Sequence, residues 1–137
     1  MAGYSGTPLA KKLGIREGHR IGWHGAPAGF AESVDSGSSA TVDHGFARER
    51  SYDVIVVFVR ELAGLTGVLE RFRPLLRWNG GLWLAWPKPG GGLASDISGT
   101  DVRRAGLEGG LVDNKVCAID ENWSGLRFVY RTKDRPV

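Results

Sequence analysis

Apolar positions along the chain fall into two rhythms. From Tyr52 to Val59 the residues Val54, Ile55, Val56, Val57, Phe58 and Val59 are apolar without a break. A strand with no polar alternation is buried on both faces, which predicts a central strand covered by helices on each side. After it the rhythm changes. Leu62, Leu65, Leu69, Phe72 and Leu76 recur at steps of three and four and predict an amphipathic helix over Leu62 to Leu76. Arg73 and Arg77 near its end suit the negative pole of a helix dipole. Asn79-Gly80-Gly81 reads as a turn. Leu82 to Trp86 reads as a second buried strand, stopped by Pro87-Lys88-Pro89 and Gly90-Gly91-Gly92.

Weaker signals flank this centre. Thr7 to Leu13 reads as a short helix, with Thr7 as cap, Pro8 at its first position and Gly14 as its stop. His19 to His24 predicts a first strand, Pro27 to Val34 a helix, and Ala40 to Asp43 a short edge strand. Asp101 to Leu111 predicts a helix that breaks at Gly109-Gly110. Lys115 to Ile119 and Leu126 to Arg131, joined by the turn Asp120 to Gly125, predict an antiparallel hairpin. Alternation of strands and helices implies a mostly parallel sheet with right-handed crossovers. The expected fold is therefore a three-layer, Rossmann-like α/β domain over residues 1–137, with five or six strands and a reversed last strand. Val54, Val56, Phe58, Leu69, Leu82, Leu84, Val116, Ile119 and Phe128 are its expected core.

Composition narrows the class. A chain of 137 residues with 42% hydrophobic and 24% charged residues fits one globular domain. Its 18 Lys and Arg against 15 Asp and Glu leave a net charge of +3. The basic residues are scattered, so nucleic-acid binding is not expected. Cys117 is the sole cysteine, which excludes an internal disulfide and a multi-cysteine zinc site. The longest strongly apolar run, Val54 to Val59, is far short of the roughly 20 residues of a membrane span. With no signal-like leader in Met1 to Gly14, the expectation is a cytoplasmic protein without a membrane partner.

A parallel sheet with a reversed last strand resembles the class I methyltransferase version of the Rossmann fold. Tyr52 to Arg131 is similar to its second half, and the first half is shortened. That resemblance implies a cofactor turn after the first strand, here His24-Gly25-Ala26-Pro27-Ala28-Gly29, and a ribose-holding carboxylate after the second, for which Asp43 is the candidate. Pro27 removes a backbone donor from that turn. The acidic residue usual just before it is missing. In its specific strings the chain is similar to a bacterial family, domain-of-unknown-function family 3052. The carriers are Leu13-Gly14-Ile15, Asp53 to Phe58, Gly81-Leu82-Trp83 leading to Pro87-Lys88, and Asn122-Trp123-Ser124 with Arg127. That family implies no activity.

Ligands of open α/β sheets bind outside the carboxyl ends of the strands. Those ends are His24-Gly25, Arg60-Glu61, Trp86-Pro87-Lys88 and Asp120, with the hairpin turn carrying Trp123 and Ser124 on the same edge. Lys88, fixed between prolines and followed by Gly90, Gly91 and Gly92, is the candidate centre of an anion-accepting corner. Trp123 and Ser124 are its expected opposite wall, and His24 and Gly25 lie at the same edge. Trp123 reads either as a stacking surface or as a cap on the sheet. Arg127 is expected to pair with Asp120 or Glu121, and Cys117 to fill the core. His19, His24 and His44 lack metal-ligand spacing, and no nucleophile elbow is visible. The reading is a non-catalytic binding or regulatory module, without a cofactor, that takes a small anionic ligand or a protein partner. A degenerate S-adenosylmethionine-dependent methyltransferase is the alternative, and a structural or homo-oligomerising protein the second alternative.

Overall fold

A computed structural model describes residues 8–34, 41–43 and 48–136. Thr7, Ala40 and His44 lie outside them. The elements are α1 (Leu9–Lys12), β1 (Arg20–His24), α2 (Phe30–Val34), β2 (Thr41–Asp43), β3 (Tyr52–Phe58), α3 (Val68–Phe72), β4 (Leu76–Pro87), α4 (Gly99–Glu108), β5 (Leu111–Ala118) and β6 (Trp123–Tyr130). The six strands form one sheet in the order β2-β1-β3-β4-β6-β5. The strands β1 to β4 pair in parallel. Only β6 runs against its neighbours, antiparallel to both β4 and β5. This is the expected Rossmann-like sheet.

Successive side chains of a strand point to opposite faces, and β3 divides its apolar run accordingly. Ile55 and Val57 join Leu82, Leu84 and Phe128 in a core beneath α3 and α4. Val54, Val56 and Phe58 join Trp83 and Ala85 in a second core beneath α1 and α2. Two cores on two faces make the third layer. The helix α4 begins in a capping box: the Ser98 hydroxyl accepts from the Asp101 amide at 3.2 Å, and the Asp101 carboxylate accepts from the Ser98 amide at 2.9 Å.

Four expectations are corrected. Leu62 to Leu76 is not one helix. A 3-10 turn over Leu62–Leu65, the short α3 and a second 3-10 turn over Arg73–Leu75 replace it. Gly67, with φ of 82°, and Pro74 break the helix, although Leu65, Leu69, Phe72 and Leu76 still face the core. Second, Asn79-Gly80-Gly81 is no free turn; it lies inside β4. Tyr52 pairs with Leu76 and Val54 with Gly81, so the intervening residues bulge. A Cβ at Gly80 would stand 2.9 Å from the carbonyl oxygens of both Tyr52 and Asp53. Third, Val116 is 65% exposed rather than core, because it faces outward on the edge strand β5, which bulges between Asp113 and Lys115. Fourth, Trp123 and Ser124 open β6, and the turn before them is closed by the Asp120 carboxylate. That carboxylate accepts from the amides of Asn122 and Trp123 at 2.7 and 2.9 Å.

Candidate functional site

The chain leaves β1 toward β2 on one side and returns to β3 on the other. The strand order therefore reverses between β1 and β3, and the crevice outside their carboxyl ends is where such sheets take ligands. The first residue past β1 is Gly25. Its φ is 71°, and a Cβ there would stand 3.0 Å from the Phe58 carbonyl oxygen. A side chain at this position would meet both the left-handed backbone penalty and the β3 main chain. The turn then closes on itself. The Phe30 amide donates to Pro27 O at 3.2 Å, and the Ser33 amide and hydroxyl donate to Gly29 O at 3.1 and 2.9 Å.

Beside this turn lies a cleft of about 500 Å³, lined by His24, Arg60, Glu61, Thr66, Arg71 and Phe72 among others. The linker after β3 supplies Arg60 and Glu61, and α3 supplies Arg71 and Phe72. The loop after β4 fastens the rim: Ser95 Oγ donates to Arg60 O at 2.8 Å, and the Leu62 amide donates to Asp96 Oδ1 at 2.6 Å. Among the described residues neither Arg60 nor Arg71 has a carboxylate within ion-pair distance. Among the described residues Glu61 is the one carboxylate on the lining. The Arg71 guanidinium lies 4.7 Å from the Phe72 ring, and the His24 ring 5.4 Å from the same ring.

His24 is held below its ordinary pKa of 6.5, first by partial burial and then by the charge of Arg71. The imidazole is therefore neutral at neutral pH. A depressed folded-state pKa gives stability that is present above 6.5 and lost as pH falls through the folded value. NMR titration of the ring is expected to give an apparent pKa below 6.5, and Arg71→Gln to move it upward. An unchanged value in that variant would show that the two groups do not interact.

The residues expected at the edge separate into two places. His24 lines the β1–β3 cleft, and Gly25 follows it at the end of β1. Lys88, Gly90, Gly91 and Ser124 lie at the end of β4 and the start of β6, where Trp86 pairs with Ser124 and Pro87 with Trp123. There the amides of Lys88, Gly91 and Gly92 are already engaged within the chain. The Lys88 amide donates to Asn122 O at 2.9 Å, the Gly91 amide to Lys88 O at 3.1 Å and the Gly92 amide to Asn122 Oδ1 at 2.9 Å. Trp123 is no open wall: it is 3% exposed, and its ring packs edge-on against Phe58 with centroids 5.1 Å apart. Arg127 pairs with neither Asp120 nor Glu121. It donates instead to Asn114 Oδ1 at 3.3 Å.

Arg71 was hidden in the sequence because it reads as the solvated face of a helix. Its only signal is its place one residue before Phe72, on the element that follows β3. Cys117 packs at the margin of the α1 and α2 core, and burial pushes its thiol above the usual range, away from nucleophilic use. Among the described residues no cluster of three or more metal-ligating side chains exists, and no helix is long and apolar enough to cross a membrane.

No protein-family model matches the chain, and no curated protein matches it. Solved structures do. A SAM-dependent methyltransferase from Aquifex aeolicus superposes with a TM-score of 0.60 at 12% identity, covering 88% of this chain and 86% of that one. The fold is methyltransferase-like. Fibrillarin of Aeropyrum pernix, solved with natively bound S-adenosyl-L-methionine, gives 0.59 at 16% identity, over 90% of this chain and 69% of its own. A Haloferax volcanii structure, a complex between the Trm112 methyltransferase activator and a putative methyltransferase, gives 0.59 at 11% identity, over 88% and 86%. Identities this low establish a shared fold and nothing about the reaction. Within the methyltransferase-like fold, Trp23 and His24 occupy the positions just before the glycine turn. The Trp23 ring meets Phe30 edge-on at 5.2 Å. Asp43 is the last residue of β2, in register with Gly22 of β1.

Proposed function

We propose that the chain is a binding or regulatory module that takes a small anionic ligand in the cleft between β1 and β3. The observation that carries this reading is the pair Arg60 and Arg71, two cations on one concave wall at the switch point without carboxylate partners among the described residues. A neutral His24 beside them can donate or accept one hydrogen bond. Attraction of this kind is open to water and weakens with salt. The turn after β1 argues against methyl transfer, because Pro27 lacks an amide N–H and no carboxylate stands just before Gly25. We include membership of family 3052, which by itself implies no activity, in the proposal.

A second reading, a degenerate S-adenosylmethionine-dependent methyltransferase, is favoured by one observation. Asp43 ends β2, where dinucleotide-binding α/β folds keep a carboxylate for a ribose, at about 20 residues past the glycine turn. Titration calorimetry with AMP, S-adenosylhomocysteine and S-adenosylmethionine separates the two. AMP is expected to bind with a Kd of roughly 0.1–1 mM, and Arg71→Gln to weaken it about tenfold. Micromolar binding of S-adenosylmethionine, unaffected by Arg71→Gln, would put the methyltransferase reading first.

A further inference from the structure

A second cleft, of about 460 Å³, lies near the opposite edge of the sheet, where β3 and β4 begin. Its lining is dominated by cations: Lys12 and Arg16 from around α1, Lys115 from β5 and Arg127 from β6. Among the described residues the one carboxylate on the lining is Asp53. That charge is met from elsewhere, by Arg77 Nε at 3.5 Å and by the Arg20 amide at 2.9 Å.

Among these cations Arg127 is the one on an inner strand of the sheet. It is half-buried, and its guanidinium lies against the backbone of Gly81. A Cβ at position 81 would stand 2.3 Å from Arg127 Nε and 2.6 Å from Cζ. The glycine therefore leaves the room that the guanidinium fills. Among the described residues the group has no carboxylate within ion-pair distance, and its hydrogen bond goes to the neutral Asn114. A guanidinium has five N–H donors, and a partly buried one without an anion is costly. Burial, and next the charge of Arg135, lower its pKa, as expected of a cation missing its counter-charge.

The rim is held rather than loose. Lys115 Nζ donates to Lys12 O at 3.3 Å, and Lys12 Nζ to Ala118 O at 3.5 Å. His19 Nδ1 accepts from the Arg16 amide at 3.1 Å. With Nδ1 engaged as an acceptor, Nε2 is the ring atom left to donate at the cleft.

We propose that this cleft is a second binding site, for a small phosphate-bearing molecule, with Arg127 as its floor contact and Lys115 and Arg16 at its rim. Several cations around one guanidinium favour a multivalent phosphate over a single carboxylate. The concave shape favours a small molecule over a nucleic-acid backbone, which would need basic residues spread along a surface.

Calorimetry of the full chain with inorganic pyrophosphate at low salt tests the proposal. Binding is expected, weakened about tenfold or more by Arg127→Gln and about threefold by Lys115→Gln. Gly81→Ala keeps every charge but pushes the guanidinium aside, so it is expected to weaken binding nearly as much as Arg127→Gln. Arg104→Gln, exposed on α4 and on the lining of neither cleft, is expected to leave pyrophosphate binding unchanged. If Arg127→Gln does not fold, Lys115→Gln and Gly81→Ala decide. Wild-type affinity in both overturns the proposal, as does absence of binding at about 10 mM pyrophosphate. Loss of pyrophosphate binding in Arg71→Gln would place the anion in the β1–β3 cleft and overturn it too. A single-stranded RNA that binds about 100-fold more tightly than pyrophosphate, with a steep salt dependence, would replace the small molecule by a nucleic acid.

Discussion

Replacing Trp83 by alanine is expected to destabilise the fold by about 3–5 kcal/mol. Trp83 sits on β4 near the middle of the sheet and is 0% exposed, one of the largest side chains to be fully buried. Its indole fills the core beneath α1 and α2. The sequence leaves space for it: a Cβ at Gly125 on β6 would stand 3.1 Å from Trp83 Cε3. Its ring nitrogen has a partner as well. Trp83 Nε1 donates to Leu13 O at 3.1 Å, just past the end of α1. Four helical residues cannot hold themselves in water. The indole is thus one of the ties that keep α1, and with it Lys12, on the sheet. Urea melts of Trp83→Ala and Trp83→Phe would separate the two contributions. The phenylalanine variant retains most of the apolar area and loses the hydrogen bond, for an expected cost of about 1–3 kcal/mol. A loss below about 1 kcal/mol in the alanine variant would mean that the indole is not core. Because α1 carries Lys12, folded Trp83→Ala protein is also expected to bind pyrophosphate more weakly than wild type.

What the sequence could reveal depended on how local each cause is. The strand β3 was legible because burial on both faces leaves an unbroken apolar run, a signature that needs no knowledge of its neighbours. The reversed β6 was legible because the turn before it is too short for a crossover. The apolar steps from Leu65 to Leu76 correctly marked a face turned to the core. They did not mark a continuous helix, since Thr66-Gly67 and Pro74 interrupt the backbone while the side chains keep facing inward. The glycines of β4 misled for a related reason. Gly80 and Gly81 are glycines because the β3 backbone and the Arg127 side chain lie where their Cβ atoms would be, and both causes are distant in sequence. The Lys88 corner depended on a remote partner too. Asn122, on the far turn, takes the amides of Lys88 and Gly92, and no local pattern announces it. His24 and Gly25 could be placed at the end of β1 because a topological rule picks out the strand ends, whereas Arg71 enters the cleft beside them from a segment whose backbone path could not be foreseen.

Gly106→Ala is expected to destabilise by about 1–3 kcal/mol, against the direction that helix propensity alone gives. In an exposed helix interior the exchange of glycine for alanine gains about 1 kcal/mol. Gly106 is in the last turn of α4 but is buried, and its missing Cβ would stand 1.9 Å from Phe128 Cε1 and 2.4 Å from Cδ1. The obstructing atoms belong to a ring that is 0% exposed and packed in the core with Leu69, Val102 and Leu111. Neither the ring nor α4 can move without disturbing that packing, and close-packed interiors register even one added methyl group. The capping box at Ser98 and Asp101 fixes the start of α4, so the helix cannot easily slide away. Two further variants give the test its direction. Gly99→Ala, whose Cβ would meet Trp86 Cζ2 at an ordinary 3.4 Å, is expected to be neutral or slightly stabilising. Phe128→Leu costs stability alone but opens the space, so its combination with Gly106→Ala is expected to be less unstable than the sum of the two, with a coupling of about 1 kcal/mol or more. Purely additive losses, or a Gly106→Ala protein as stable as wild type in urea melts, would mean that Phe128 does not press on α4 in solution.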